Sequence, residues 1–210
     1  MRIAKEGKYI IFPLFVLCII AFIVSWYYEY SFFLCSVISF IFVFCLVFFR
    51  DPIRTVPEEK NIIVSPADGK ITKISNIIDA DVGEATLISI FLNVYNVHVN
   101  RMPIDGKFIR VDNIPGKFLA AFDHKSSDEN ERTEILFESE IGKIKVKQIA
   151  GLVAKRIISY AEEGEKMKIG SRLGYIRFGS RTDLIVPKDL NLMVTVGQKV
   201  KGNKSIIVKF

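Results

Sequence analysis

Between residues 9 and 49 a single charged side chain, Glu29, interrupts an otherwise apolar or aromatic sequence, and no other feature restricts the folding of this chain as strongly. Trp26-Tyr27-Tyr28-Glu29-Tyr30 divides the stretch into two runs of about twenty residues, each long enough to cross a bilayer as a helix. In lipid the backbone amides must be satisfied within the segment, so a helical hairpin over residues 1–50, transmembrane or re-entrant, is the expected structure. Arg2, Lys5 and Lys8 precede the first run, and Arg50 and Arg54 follow the second. The positive-inside tendency then puts both ends in the cytoplasm and the aromatic break at the far interface. Pro13 is placed to kink the first helix. A cleaved leader does not fit: the first run is too long, no small-residue cleavage site follows, and the second run begins at once.

Residues 51–210 are enough for one further domain with its own core. Beyond residue 50 there are 25 Lys and Arg against 21 Asp and Glu, a net charge of +4 that suits the face of an anionic bilayer. No basic-aromatic motif accompanies that charge, which argues against nucleic acid. All three cysteines (Cys18, Cys35, Cys45) fall in the apolar runs, and only His98 and His124 are available as imidazole ligands, so neither a disulfide framework nor a metal centre is expected.

Short alternating or apolar stretches such as Lys70-Ile71-Thr72-Lys73-Ile74, Leu87-Ile88-Ser89-Ile90-Phe91, Ile144-Lys145-Val146-Lys147-Gln148-Ile149 and Ser205-Ile206-Ile207-Val208-Lys209-Phe210 are separated by Gly, Asp and Pro turns. They predict a mainly antiparallel β domain. Helix is expected only in small inserts, over residues 117–122 or 157–161. Gly164-Glu165-Lys166-Met167-Lys168-Ile169-Gly170 and Gly197-Gln198-Lys199-Val200-Lys201-Gly202 form a weak internal repeat, each copy followed by an apolar strand. That unit resembles the turn-and-strand of biotinyl/lipoyl-like barrels, without the lysine tip that carries their prosthetic group.

Asp68 lies in Pro66-Ala67-Asp68-Gly69, which by composition is a turn. Alternation through Val97-His98-Val99-Asn100 sets His98 and Asn100 opposite the valines, on a face that would ordinarily meet solvent. Gly179-Ser180 is by itself a turn as well. A joint chemical role needs the three to meet: serine is a weak nucleophile until a base takes its proton, and a carboxylate can orient that base.

The frames Phe48-Phe49-Arg50-Asp51-Pro52, Ser65-Pro66-Ala67-Asp68-Gly69, Asn96-Val97-His98-Val99-Asn100-Arg101, Gln148-Ile149-Ala150-Gly151-Leu152-Val153-Ala154 and Phe178-Gly179-Ser180-Arg181 together resemble the short prokaryotic type of phosphatidylserine decarboxylase proenzyme. The resemblance implies a membrane-bound, pyruvoyl-dependent carboxy-lyase of phospholipid biosynthesis at the cell membrane, with its catalytic domain on the cytoplasmic side. It implies Asp68, His98 and Ser180 as the self-processing triad, and a cut between Gly179 and Ser180 into chains 1–179 and 180–210 that stay together as a heterodimer. Ser180 would become the covalent pyruvoyl group, with neither PLP nor a metal. That ketone would form a Schiff base with phosphatidylserine, release CO2 and yield phosphatidylethanolamine, with His98 as proton donor and Arg101 and Arg181 as partners of the substrate's phosphate or carboxylate. Arg101 stands where other branches of the family carry a second histidine. Two alternatives remain beside this reading: a decarboxylase of another serine lipid such as archaetidylserine, and a tethered biotinyl/lipoyl-like module that is not cut.

Overall fold

The computed structural model describes residues 2–117, 129–151, 157–177 and 180–210. The chain packs as two compact units, residues 1–53 and 54–210. In the first, helix α1 (Lys5–Tyr27) and helix α2 (Phe32–Phe48) are joined by a short 3-10 turn, Glu29–Ser31, at the aromatic break. At 1.5 Å per residue they are about 34 and 26 Å long, and α1 alone has both the length and the hydropathy of a full membrane span. Phe12, Trp26, Phe33 and Phe40 are each at least 70% exposed, as lipid-facing side chains would be. Two short strands, β1 (Arg2–Ile3) and β2 (Arg50–Asp51), pair antiparallel across the open end, and Ala4 N–H donates to the Phe49 carbonyl at 2.8 Å. Gly7 is required there, since a Cβ would lie 2.5 Å from the Phe49 ring. The hairpin therefore starts and finishes at one place.

In the second unit the named strands pair antiparallel. Its strands are β3 (Ile62–Val64), β4 (Gly69–Asp79), β5 (Gly83–Leu92), β6 (Val99–Arg101), β7 (Gly106–Ile114), β8 (Arg132–Ser139), β9 (Gly142–Ala150), β10 (Ile157–Ser159), β11 (Lys166–Met167), β12 (Arg172–Ile176), β13 (Ser180–Pro187), β14 (Asn191–Leu192), β15 (Lys199–Val200) and β16 (Ile206–Lys209). Eight of them form one curled sheet in the order β11-β7-β8-β9-β13-β5-β4-β15, and β10-β12-β6 and β14-β16-β3 form two three-stranded sheets. Residues 157–159, for which helix was expected, are a strand: pairing of Ile157 with Ile176 overrides the local preference. Residues 118–122 of the other expected insert lie outside the described residues.

The eight-stranded order has the same pattern read from either end and the two three-stranded orders match each other, which reveals a duplicated fold. One half is β6 to β12. The other is β3, β4, β5 and β13 to β16, with the first half inserted between β5 and β13. Ser65-Pro66-Ala67-Asp68-Gly69-Lys70-Ile71 answers to Met102-Pro103-Ile104-Asp105-Gly106-Lys107-Phe108. Each copy leads into a strand bulged at the same step, between Ile71 and Lys73 and between Phe108 and Arg110. The two Gly-x-Lys-x-Lys copies supply equivalent edge strands, with Lys199 opposite Lys70 and Lys166 opposite Lys107. Across the pseudo-dyad the halves exchange a bond reciprocally: Val64 N–H donates to Pro103 O at 2.9 Å, and Arg101 N–H to Pro66 O at 2.8 Å. The core lies on the face of the large sheet that carries Ile88, Ile90, Val146, Leu184 and Val186, all fully buried.

Candidate functional site

After β5 the chain turns on Asn93-Val94-Tyr95-Asn96, closed by Asn96 Oδ1 on the Asn93 N–H at 2.9 Å and Asn93 Oδ1 on the Tyr95 N–H at 2.9 Å. It enters β6 with Val99 opposite Tyr175 of β12. Alternation holds as the sequence predicts, but the polar side does not face water: His98 and Asn100 are fully buried, and Val97 and Val99 on the other side are nearly so. His98 Nδ1 is 2.9 Å from the Asn96 carbonyl oxygen. A carbonyl can only accept, so Nδ1 carries the proton and Nε2 is the nitrogen able to act as base.

Asn100 Oδ1 accepts from Gln148 Nε2 at 2.7 Å and from Thr182 Oγ1 at 3.4 Å. Gln148 and Thr182 are direct neighbours on β9 and β13. Ser180 lies two residues before Thr182, and His98 two before Asn100. Ser180 is fully buried, and its Oγ has no hydrogen-bond partner among the described residues. Its pairing partners are Leu92 and Ala150, where β5 and β9 end.

Asp68 sits at the same end of the sheet, just before β4. Lys70, Phe91 and Arg181 form one row across β4, β5 and β13, so the next row puts Gly69 and Ser180 two strand spacings apart, about 10 Å, with Asp68 one residue beyond Gly69. Gly69 admits no side chain, because a Cβ would lie 2.3 Å from Phe91 O. The Asp68 carboxylate does not bond to His98. It accepts the Gly202 N–H at 2.8 Å and a fork from Arg54, whose Nη2 is 2.8 Å from Oδ2 and whose Nη1 meets Oδ1. Sequence reasoning gave Arg54 only a membrane-flanking role.

Arg101 lies on the valine side of β6 and donates to the Gly170 carbonyl at 3.3 Å. Arg181 lies on the opposite face of β13 from Ser180, forked onto Asp183 at 2.7 and 3.1 Å and bonded to Ser89 Oγ at 2.6 Å. Gly179 and His124 lie outside the described residues.

The duplication distinguishes scaffold from site. Under the pseudo-dyad Asn100, Thr182 and Gln148 correspond to Ile63, Ile144 and Val186, and all six are fully buried. One end of the sheet is closed by aliphatic packing, while the other buries amides and hydroxyls at a desolvation cost that its apolar twin avoids. Ser180 stands at the polar end, where the twin has Gly142 in a plain hairpin turn. Among the described residues no cluster of His, Cys, Asp or Glu could hold a metal ion.

Comparison with known proteins agrees in region and extent. A family model described as phosphatidylserine decarboxylase matches residues 41–208. A phosphatidylserine decarboxylase proenzyme of Wolbachia pipientis wMel is 44% identical over 213 residues, covering 98% of this chain and 90% of that protein. One of Chlorobium limicola is 42% identical over 172 residues, 81% of each chain, and one of the Wolbachia of Brugia malayi is 42% identical over 212, covering 98% and 90%.

Proposed function

The chain belongs to the phosphatidylserine decarboxylase family, and on that premise we propose that it is a self-processing, membrane-held decarboxylase whose prosthetic group arises from Ser180. It converts phosphatidylserine to phosphatidylethanolamine and CO2. The observation that carries the Ser180 assignment is a buried hydroxyl without a hydrogen-bond partner among the described residues, at the polar end of an otherwise duplicated sheet.

With its proton taken by His98 Nε2, Ser180 Oγ adds to the Gly179 carbonyl carbon and the C–N bond breaks, leaving an ester and a free amine at Ser180. Loss of the Ser180 α-proton then expels the Gly179 carboxylate and leaves dehydroalanine, which tautomerises and exchanges nitrogen for water, releasing ammonia. Burial keeps competing water from the ester, as an internal cut requires. The resulting pyruvoyl group supplies an electron sink for the loss of CO2 from an amino acid head group. His98, with Nδ1 pinned to the Asn96 carbonyl, is oriented to return a proton from Nε2. Arg101, which donates to the Gly170 carbonyl, and Arg181, which is forked onto Asp183 and bonded to Ser89 Oγ, are proposed to contribute by bracing the strands that carry the site.

A hairpin of exposed apolar side chains with both ends at one place suits a diacyl substrate, which reaches the enzyme within the bilayer. The basic residues flanking that end support a cytoplasmic placement of it by the positive-inside tendency. Intact mass of the purified protein is expected to show chains 1–179 and 180–210, the smaller with a carbonyl-reactive end, and Ser180→Ala to remain one inactive chain. A fully active uncut polypeptide defeats the mechanism.

A further inference from the structure

We propose that Arg54 is a positioning residue for the cut at Ser180, its guanidinium holding the Asp68 carboxylate in the single orientation that serves the processing site. The inference rests on the reading of Ser180 and Asp68 above, and the duplicated fold supplies its internal control. Asp68 and Asp105 occupy the same place in the two Pro-x-Asp-Gly-Lys copies, and each accepts a backbone N–H, from Gly202 at 2.8 Å and from Ile169 at 2.7 Å. That bond is what the turn needs, since both halves have it.

The rest is not shared. Asp105 is exposed and makes no ion pair among the described residues, whereas Asp68 is 6% exposed and takes both prongs of Arg54. Arg54 Nη1 also donates to the Gly202 carbonyl at 2.9 Å, so guanidinium, carboxylate and loop are locked together. A planar fork fixes the rotation of a carboxylate as a single ammonium cannot. Three of the carboxylate's roughly four acceptor sites are then used, and one on Oδ2 is left for a donor at the site. The twin turn folds without any of this, which separates Arg54 from the needs of the scaffold and ties it to the end where Ser180 lies.

The full-length chain, made by cell-free synthesis with phospholipid vesicles, is followed from one mass to two. Arg54→Ala is expected to be cut about 100-fold more slowly, the loss typical of a misplaced catalytic group. Added guanidinium should restore part of the rate while equal sodium chloride does not. Arg54→Lys, which keeps the charge without the fork, should fall between, and it carries the test if Arg54→Ala does not accumulate folded. Asp105→Asn should be cut at the wild-type rate. Variant protein that has been cut should retain wild-type turnover per carbonyl end. Cutting of both Arg54 variants at the wild-type rate, with only a lowered melting midpoint, overturns the inference alone. A wild-type chain that stays whole and active overturns the Ser180 reading, and this one with it.

Discussion

Asn100 shows at the scale of one side chain what the site costs the fold. Its Oδ1 is shared by Gln148 and Thr182, but its own Nδ2 and Gln148 Oε1 find no partner among the described residues. Asn100→Leu would also strand Gln148 Nε2, at about 1–3 kcal/mol. Copying the apolar twin in full, as Asn100→Ile with Gln148→Val and Thr182→Ile, removes these two orphaned groups together. The triple variant is expected to melt at or above the wild-type temperature while the chain remains uncut, since replacing a whole polar set by packed aliphatics is neutral to stabilising. Calorimetry and intact mass on the same sample check both halves of that statement. From the sequence, His98 and Asn100 could be set on one face by alternation, but not buried: burial depends on β9 and β13 covering that face, and those strands lie about 50 and 80 residues away.

Among the elements, the β4–β5 hairpin depends on a buried cation. Lys145, 3% exposed on β9, bonds to Asp79 Oδ1 and Oδ2 at 2.7 and 2.8 Å and to Asp81 Oδ2 at 2.7 Å. Burial alone would raise the Asp79 carboxyl, but bonds from Lys145 and from the Asp81 and Val82 amides outweigh it and hold Asp79 below the ordinary carboxylate range. Burial alone would lower Lys145, but its bonds to Asp79 and Asp81 carry it above the ordinary ammonium value. A depressed carboxyl stabilises above its unfolded value of about 3.9 and loses that contribution as pH falls through the folded one; a raised ammonium stabilises below about 10.4 and loses it as pH rises through its own. The hairpin's contribution is therefore level between about pH 5 and 9 and declines only outside that window. Lys145→Met leaves Asp79 buried and unpaired, so a loss of about 3–5 kcal/mol in urea unfolding at pH 7 is expected, shrinking as pH falls towards 3.

Other elements differed in how far the sequence disclosed them. The Gly-x-Lys-x-Lys repeat is legible because each copy is a short lysine-bearing edge strand set by its own glycines, Gly164 and Gly197, both with positive φ. Pro-x-Asp-Gly-Lys also stands twice in the sequence, at residues 66–70 and 103–107. Nothing local reveals that its two copies face each other across a dyad.

For the molecule as a whole, the decisive feature is where one half interrupts the other. Residues 180–210 provide a strand to the large sheet between β5 and β9, its edge strand β15, and two strands of the sheet containing β3. A chain cut before Ser180 is thus held by pairing on both sides of β13, in eight register pairs with β5 and six with β9. Native mass measurement in detergent is expected to find the two pieces together, and only denaturant should part them; dissociation of the small piece under mild conditions would contradict the strand order. Such interlacing also makes maturation irreversible in a practical sense. An uncut precursor folds alone, at a rate indifferent to dilution, whereas a matured molecule once denatured becomes two strangers in solution, and its recovery must slow in proportion to how thinly they are spread.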